Sequence, residues 1–449
     1  MVEEKVKNDV VNIAPVDEPM SLGKAWIFSI QHVFAMCAGA VAVPIIVGGA
    51  AGLSPAEIVF LINAGLFMAG IATLIQSAGV KGYLGAKIPV IEGTSFAAVA
   101  AMAAIASTYK GNSTLAMTTI YGAVIAAGLV GIVLAPLFGK LIRFFPKVVT
   151  GTVVLTIGIS LLPTAVKWIT NSAVKPATPS QLYLALSVLG ITLLLFKILK
   201  GIWNSAAILF GLVLGTILAA MFGMVDFKPV MQAGWFSVNM PLHFGAPRFD
   251  PSAIISIGLV MLVLMTESTG NMMAVHEMVD KPVEGKNITR GLMADSISTL
   301  LAGIFNSFPQ TPFAQNVGLV SLTGIKSRFV AIYAGVILLV LSFIPKFGAL
   351  IVAIPKPVLG GVGFAMFGMV LVGGIRTLGK VQYDGTKNAV IVAVSVGLAM
   401  IPVANDGFYH NFPNWVQTIF HSGITTGSLA AVLLNIFFNE IGKKENKQA

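Results

Sequence analysis

Charge is what this 449-residue chain has least of: Asp, Glu, Lys and Arg together make up 10% of it. A water-soluble domain carries roughly 25% charged residues, because its surface must face water. Here 56% of residues are hydrophobic and the mean hydropathy is +0.89, so a charged coat is out of reach. That excludes an ordinary soluble enzyme and a disordered chain. Cysteine is almost absent too. Cys37 stands alone in an apolar stretch, which excludes an intramolecular disulfide, a secreted disulfide scaffold and a CxxC metal site. No Walker A sequence is present, and His276-Glu277 lacks the second histidine of a zinc-protease helix. With no nucleophile–base pair or metal-ligand set, no enzyme, metal or resident cofactor is expected. The net charge of +10 does not point to nucleic acid. Lys and Arg fall in small groups between apolar runs, which is the topological signal of a polytopic membrane protein.

Apolar runs long enough to cross a hydrocarbon core of ~30 Å fall around 25–47, 56–78, 114–138, 147–166, 181–199, 204–224, 252–275, 328–350, 357–375 and 422–440. Shorter or interrupted candidates lie at 88–106, 291–308, 313–324 and 388–402. The polar opening residues, ending in Asp17-Glu18-Pro19, do not read as a cleavable signal peptide. With fourteen spans and both termini inside, 21 of the 28 Lys and Arg fall on the inner side and 7 on the outer. Dropping one span would flip every later loop and erase this bias, so the positive-inside rule favours fourteen spans with cytoplasmic termini.

A repeat lies beneath this layout. Ile120-Tyr121-Gly-Ala-Val-Ile resembles Ile332-Tyr333-Ala-Gly-Val-Ile, and Phe145-Pro146-Lys147 resembles Ile354-Pro355-Lys356, at offsets of 212 and 209 residues. The shift is seven spans, an odd number, so the second copy must run through the membrane upside down. Inverted repeats are the architecture of secondary transporters, whose site lies between the copies at mid-membrane.

Few ionisable groups lie deep within these spans. Glu267, in Met265-Thr266-Glu267-Ser268-Thr269-Gly270-Asn271, follows a long apolar run. A charged carboxylate at the bilayer centre costs at least about 2.5–3.5 kcal/mol unless it meets a polar cavity or takes a proton. Asp295 sits in the following segment, so a proton could be shared or passed between two successive spans. Its bland alternative is a hydrogen bond with Ser296 or Ser298. Ser54-Pro55-Ala56-Glu57 reads as a capping box, which makes Glu57 structural. Pro309 and Pro312 oppose a continuous helix before Ala314-Gln315-Asn316-Val317-Gly318. Extended backbone entering a half-helix is therefore expected, with free N–H donors at its start, tolerable only beside a cavity. Seven spans earlier, Glu92-Gly93-Thr94-Ser95-Phe96-Ala97 has the same small-polar character. Two symmetry-related breaks imply one central site. Gln31 and His32 lie early in the first span, where His32 could gate or link helices.

Gln31-His32, the Glu267-Ser-Thr-Gly turn and Gln315-Asn316-x-Gly318-x-x-x-x-Thr323-Gly324 resemble the nucleobase–ascorbate (nucleobase–cation symporter-2) transporters over residues 21 to 440. Phe305-Asn-Ser-Phe-Pro309 followed by Ala-Gln-Asn-Val-Gly is most similar to bacterial xanthine permeases, with urate permeases close behind. The resemblance implies an all-α polytopic membrane protein: 14 transmembrane segments as two inverted seven-span repeats, with strand-like breaks before half-helices 3 and 10. It further implies a cytoplasmic tail at 1–23, core segments at 24–144 and 252–351, and gate segments at 145–225 and 352–441. An extracellular connection at 226–251 and a second tail at 442–449 complete the layout. Glu267 and Gln315 would hold a purine by their side chains, Phe96 and Ala314 by backbone groups. Ser95 would complete the binding set, and Asp295, His32, Asn316 and Asn271 would support the site or its coupling. Asn271 stands where several relatives have Asp or His; it cannot titrate, which leaves coupling to Glu267 and Asp295. Gln at position 315 fits oxidised purines, whereas uracil carriers have Glu there and ascorbate carriers Pro. The expectation is a proton-coupled symporter for xanthine or urate in the cytoplasmic membrane, working as a homodimer whose core rocks against the gate. A uracil or other nucleobase permease, or an anion channel or exchanger on a related fold, are the alternatives.

Overall fold

The computed structural model describes residues 14–170, 176–405 and 407–441. Residues 1–13, Lys175 and the 442–449 tail lie outside this range, so the cytoplasmic assignment of those tail residues does too. Among the described residues a main helix covers each apolar stretch: α1 (Leu22–Ala50), α2 (Pro55–Ala78), α3 (Val99–Thr108), α4 (Ser113–Leu134), α5 (Lys147–Thr170), α6 (Pro179–Ile198) and α7 (Ala207–Met221) in the first half. The second half holds α8 (Pro251–Met278), α9 (Gly285–Ile304), α10 (Ala314–Thr323), α11 (Phe329–Ser342), α12 (Lys356–Leu378), α13 (Lys387–Ala404) and α14 (Gly423–Asn435). Among the described residues, eight helices are long and apolar enough to cross a membrane alone, or nine if α11 counts with Pro345–Val352, bent 81° from it. With ten residues each, α3 and α10 reach only ~15 Å, half a bilayer core.

Helix ends follow local chemistry. Ser54 and Glu57 close the expected capping box on α2, with Pro55 at its first turn. Thr178 and Gln181 do the same for α6, and Asp250 caps α8 by accepting from the Ala253 amide. At its other end α2 is held by Arg328. That guanidinium donates to the Ser77 and Ala78 carbonyls at 2.9 and 3.1 Å and pairs with Asp17 at 2.6 Å. A cation there meets the negative end of the helix dipole and satisfies carbonyls the helix leaves free.

The two halves pack as exchanged copies. Helix α2 packs on α11 and α9 on α4, contacts that interchange under a seven-helix shift; α6–α7 and α13–α14 are likewise equivalent, and α5 packs on α12. Lys147 and Lys356, matched in the sequence repeat, both open their helices after a proline. Two strands, β1 (Glu92–Thr94) and β2 (Gln310–Pro312), precede α3 and α10 and pair antiparallel, Gly93 opposite Thr311. Helices α1–α4 pack chiefly with α8–α11, and α5–α7 with α12–α14. Small residues let the equivalent pairs approach: Gly70 faces Gly335 and Leu339, Gly303 faces Tyr121 and Ile125, and Gly158 and Gly374 face Leu371 and Leu155 across α5–α12.

A Cβ at Gly128 on α4 would lie 2.5 Å from the Leu300 backbone nitrogen of α9, whereas one at Gly190 on α6 meets nothing within 4 Å. Gly128→Ala should therefore destabilise by roughly 1–3 kcal/mol through overpacking. Gly190→Ala should be neutral or stabilise by up to about 1 kcal/mol through helix propensity. Thermal unfolding of the two purified variants checks this; equal melting temperatures would contradict the close α4–α9 packing.

Candidate functional site

Proline and threonine dictate the breaks. At β2 the Pro309 and Pro312 rings deny the helical bonds, and the chain runs extended before turning into α10. Extended backbone inside a packed helical protein needs partners, and each strand finds them in the other. Beyond the paired register, Ser95 N–H donates to the Pro309 carbonyl and Phe313 N–H to the Ile91 carbonyl, both at 2.9 Å. Thr73 of α2 accepts from the Glu92 amide at 2.9 Å, and Thr299 of α9 from the Gln310 amide at 3.1 Å. The Asn271 side chain donates to the Pro312 carbonyl at 3.0 Å. Gly93 is required: a Cβ there would meet the Phe313 ring at 2.5 Å.

Past the strands, two helix starts point at one cavity. The first amides of α10 that bond back are Asn316 and Val317, both onto the Phe313 carbonyl, and Phe313 offers no side-chain cap. The N–H groups of Ala314 and Gln315 are left over, as at any helix N-terminus. On the other side, Ser95 caps the Ala97 amide at 3.1 Å and leaves that of Phe96. The cavity measures about 470 Å³ and includes Ser95, Phe96, Glu267, Ala314 and Gln315 in its wall. That size suits a small organic molecule. Glu267 and Gln315 are half-buried, and α5 and α12 close the facing wall with Val154, Ile157, Met366 and Met369. The cavity thus lies between the two packing groups. It extends to Phe196, Asn204, Leu322 and the exposed Arg376, all at helix ends beside the basic loops. A second cavity of about 370 Å³, between α1, α7 and the segment after α11, is almost wholly apolar and has no charged group in its wall.

Five residues expected to hold ligand therefore share one wall: Glu267, Gln315, Phe96, Ala314 and Ser95. The four expected to support it lie outside the wall. His32 is buried, and Asn316 donates to its ring Nδ1 at 3.0 Å and to its carbonyl at 2.9 Å, tying α10 to α1. Asn271 fixes the end of β2. Asp295 is buried and accepts from Gln76 Nε2 at 2.6 Å. Its partner is not Ser296, which bonds the Leu292 carbonyl instead, and Ser298 has no partner. Nor does Asp295 line the cavity that Glu267 lines. The carboxyl on the same turn of α2 is Glu92 of β1, whose amide bonds Thr73. Sequence reasoning named Glu92 in the earlier break without giving it a role and passed over Gln76; the available signal was a carboxylate inside an otherwise small-residue span. Arg376 was also passed over as a wall residue, because it reads as an ordinary loop cation.

Comparison with known proteins agrees with this architecture. A family model described as Permease family matches residues 23–407. The uric acid transporter UacT of Escherichia coli (strain K12) is 41% identical over 94% of this chain and 88% of its own. The xanthine permease of Bacillus subtilis (strain 168) is 40% identical over 94% of this chain and 95% of its own. A uracil permease of the same organism is 31% identical over 97% of both. Among solved structures, the transmembrane domain of the cyanobacterial bicarbonate transporter BicA superposes with a TM-score of 0.63 at 17% identity, covering 93% of this chain and all of that one. Murine Slc26a9, an anion transporter, gives 0.64 at 12% identity, covering 97% of this chain and 73% of that one. At such identities these two show the fold alone. A multi-pass helical chain with a polar cavity at paired helix breaks, matched along most of its length by permeases, belongs to the nucleobase–ascorbate transporter family and is a membrane transporter, not an enzyme.

Proposed function

We propose that the cavity binds an oxidised purine, xanthine or urate, and that the chain carries it across the cytoplasmic membrane together with a proton. The observation that carries this reading is the meeting of Glu267 and Gln315 with the unpaired amides of two broken helices in one wall. A planar purinedione presents alternating ring N–H and C=O groups. An ionised Glu267 accepts ring N–H bonds, Gln315 donates to one edge atom and accepts from another, and the Phe96 and Ala314 amides donate to carbonyl oxygens. The relatives named for uric acid and xanthine, at about 40% identity, support a purine over uracil, whose named carrier stands at 31%.

Transport follows from where the cavity sits. Helices α1–α4 with α8–α11 would act as a core moving against a gate of α5–α7 with α12–α14, the purine held between them. The cavity extends toward Arg376 and the basic loops, which the positive-inside rule places in the cytoplasm, so this conformation would be open inward. All fourteen helical segments would cross or enter the bilayer in that arrangement. Equivalent gate helices α6 and α13 present exposed apolar faces, Leu186, Leu193 and Leu194 on one and Val390, Val394 and Leu398 on the other. Such faces suit lipid and a second copy in a homodimer. An anion exchanger on this fold is the second reading, favoured by the solved neighbours alone; a carboxylate in the cavity wall opposes it.

The test is uptake of radiolabelled xanthine and urate by cells or proteoliposomes, with uracil, guanine and hypoxanthine as competitors, with and without a protonophore. Glu267→Gln should abolish accumulation, since losing a charge-assisted hydrogen bond of about 1.5–3 kcal/mol costs roughly 10–100-fold. Gln315→Glu should weaken uptake and shift the order of competitors, because a carboxylate there cannot donate to the ligand edge. Wild-type uptake in both variants would refute the site.

A further inference from the structure

We propose that Glu92 and Asp295 form a buried carboxyl pair that holds the co-transported proton, with Gln76 as the fixed group between them. This rests on the proton-coupled reading above and deepens it: it moves the proton off Glu267, which stays free to bind purine as an anion.

Geometry carries the assignment. Glu92 is fully buried, and among the described residues neither of its carboxyl oxygens has a hydrogen-bond partner. Asp295 is buried as well, with Oδ2 unpartnered. Gln76 lies beside both acids and is held on Asp295. Its Nε2 donates to Asp295 Oδ1 at 2.6 Å and to the Gly291 carbonyl at 3.2 Å, while its Oε1 accepts from the Ala86 amide at 2.9 Å. Two carboxylates sharing a dry site cannot both ionise, and an unpaired buried charge is the costliest group a protein can hold. A proton on one acid removes the repulsion and supplies the missing donor, an O–H that the other can accept.

The titratable groups on the surrounding elements do not supply that donor. On α2, Glu57 is spent at the far end in its capping box. On α8, Glu267 is in the cavity wall, and His276 bonds the Met272 carbonyl. On α1, His32 holds Asn316. The nearest loop cation, Lys281, donates to the Ala86 and Lys87 carbonyls at 2.9 and 3.0 Å. One turn of α2 brings Glu92 and Asp295 together: Thr73 accepts from the Glu92 amide and Gln76, three residues on, donates to the Asp295 carboxyl.

The pair is wired to the purine site through backbone. Glu92 opens β1, and the chain continues directly into Thr94, Ser95 and Phe96 of the cavity wall. On the other side Ser268, next to Glu267, lies 3.2 Å from the Thr311 hydroxyl of β2. Loss of the proton would repel Glu92 from Asp295 and strain the strand pair that aims both helix starts at the ligand.

The experiment uses the full-length protein in proteoliposomes. In wild type, an inward gradient of one pH unit should drive accumulation of radiolabelled xanthine or urate by up to about tenfold for one proton. Failure of that control, or its replacement by a sodium gradient, overturns the proton-coupled reading itself and this assignment with it. Where the control succeeds, Glu92→Gln should exchange purine across the membrane without a gradient yet no longer accumulate it, and its uptake should lose pH dependence; Glu92→Asp should restore part of both. Gradient-driven accumulation and a pH profile equal to wild type in Glu92→Gln would overturn the pair. So would loss of exchange in Glu92→Gln and Glu92→Asp alike, which marks a purely structural residue. Should the variants not fold, infrared spectroscopy of the wild-type protein decides: a protonated-carboxyl band that responds to xanthine supports the pair, and its absence at every pH refutes it.

Discussion

Everything at the centre of this protein depends on six residues pairing as two strands. Extended backbone has no partners of its own, and inside a membrane protein there is no bulk water to supply them. Glu92–Thr94 and Gln310–Pro312 satisfy each other, and the remaining amides are met from the flanking helices in a matched way. Thr73 on α2 serves the first residue of β1, and Thr299 on α9 the first residue of β2. Because α2 and α9 occupy equivalent places in the two halves, the same solution is used twice. This arrangement lets two helices begin in the protein interior with their free N–H groups directed at one space.

Close helix packing surrounds that centre. Lipid gives helices little hydrophobic reason to associate, so backbone approach through small residues must supply the contact. The glycines do this reciprocally: Gly70 and Gly303 on α2 and α9 lean on α11 and α4, and Gly158 and Gly374 lock α5 against α12. Fewer contacts join the two packing groups: the short helix Asn414–Phe420 packs on α8 and α3, and α1 meets α7 as α8 meets α14, again an equivalent pair. The cavity lies along this thinner seam, so a shift between the groups would change access to it without breaking the strand pair.

Much of this is legible in the residues. Long apolar runs give helices, Ser54 and Glu57 announce a helix start, and the prolines at 309 and 312 announce a break. Glu267 and Gln315 draw attention because polar groups are expensive where they stand. Local signals of this kind survive folding because they are set by neighbours a few residues away. Membrane-span number is less legible, since α3 and α10 are half-length and α11 bends; hydropathy counts only what is long and straight. Least legible are partners brought from far along the chain. Asp295 meets Gln76 across 219 residues, and nothing near either one announces it. Serines adjacent to Asp295 look like better partners, but they spend their hydroxyls elsewhere or on nothing. Asn271 in the same way turns out to hold strand backbone.

That long-range polar layer changes how the acids divide their work. Glu267 faces a cavity wide enough for a ligand and opening toward the chain's basic loops, so its charge can be met by water, by a cation or by a ligand N–H. Glu92 and Asp295 are buried on one turn of α2, and among the described residues Gln76 is the side chain that donates to Asp295. A site that must bind a neutral or weakly acidic ring benefits from a permanent acceptor, whereas a site that must carry a proton benefits from isolation. Placing the two on opposite sides of a hydrogen-bonded strand pair lets one segment of backbone sense both. The segment is short and rigid, and a change in charge on its buried side cannot be absorbed by a flexible loop. It would be passed to Ser95 and Phe96, where the ligand would lie.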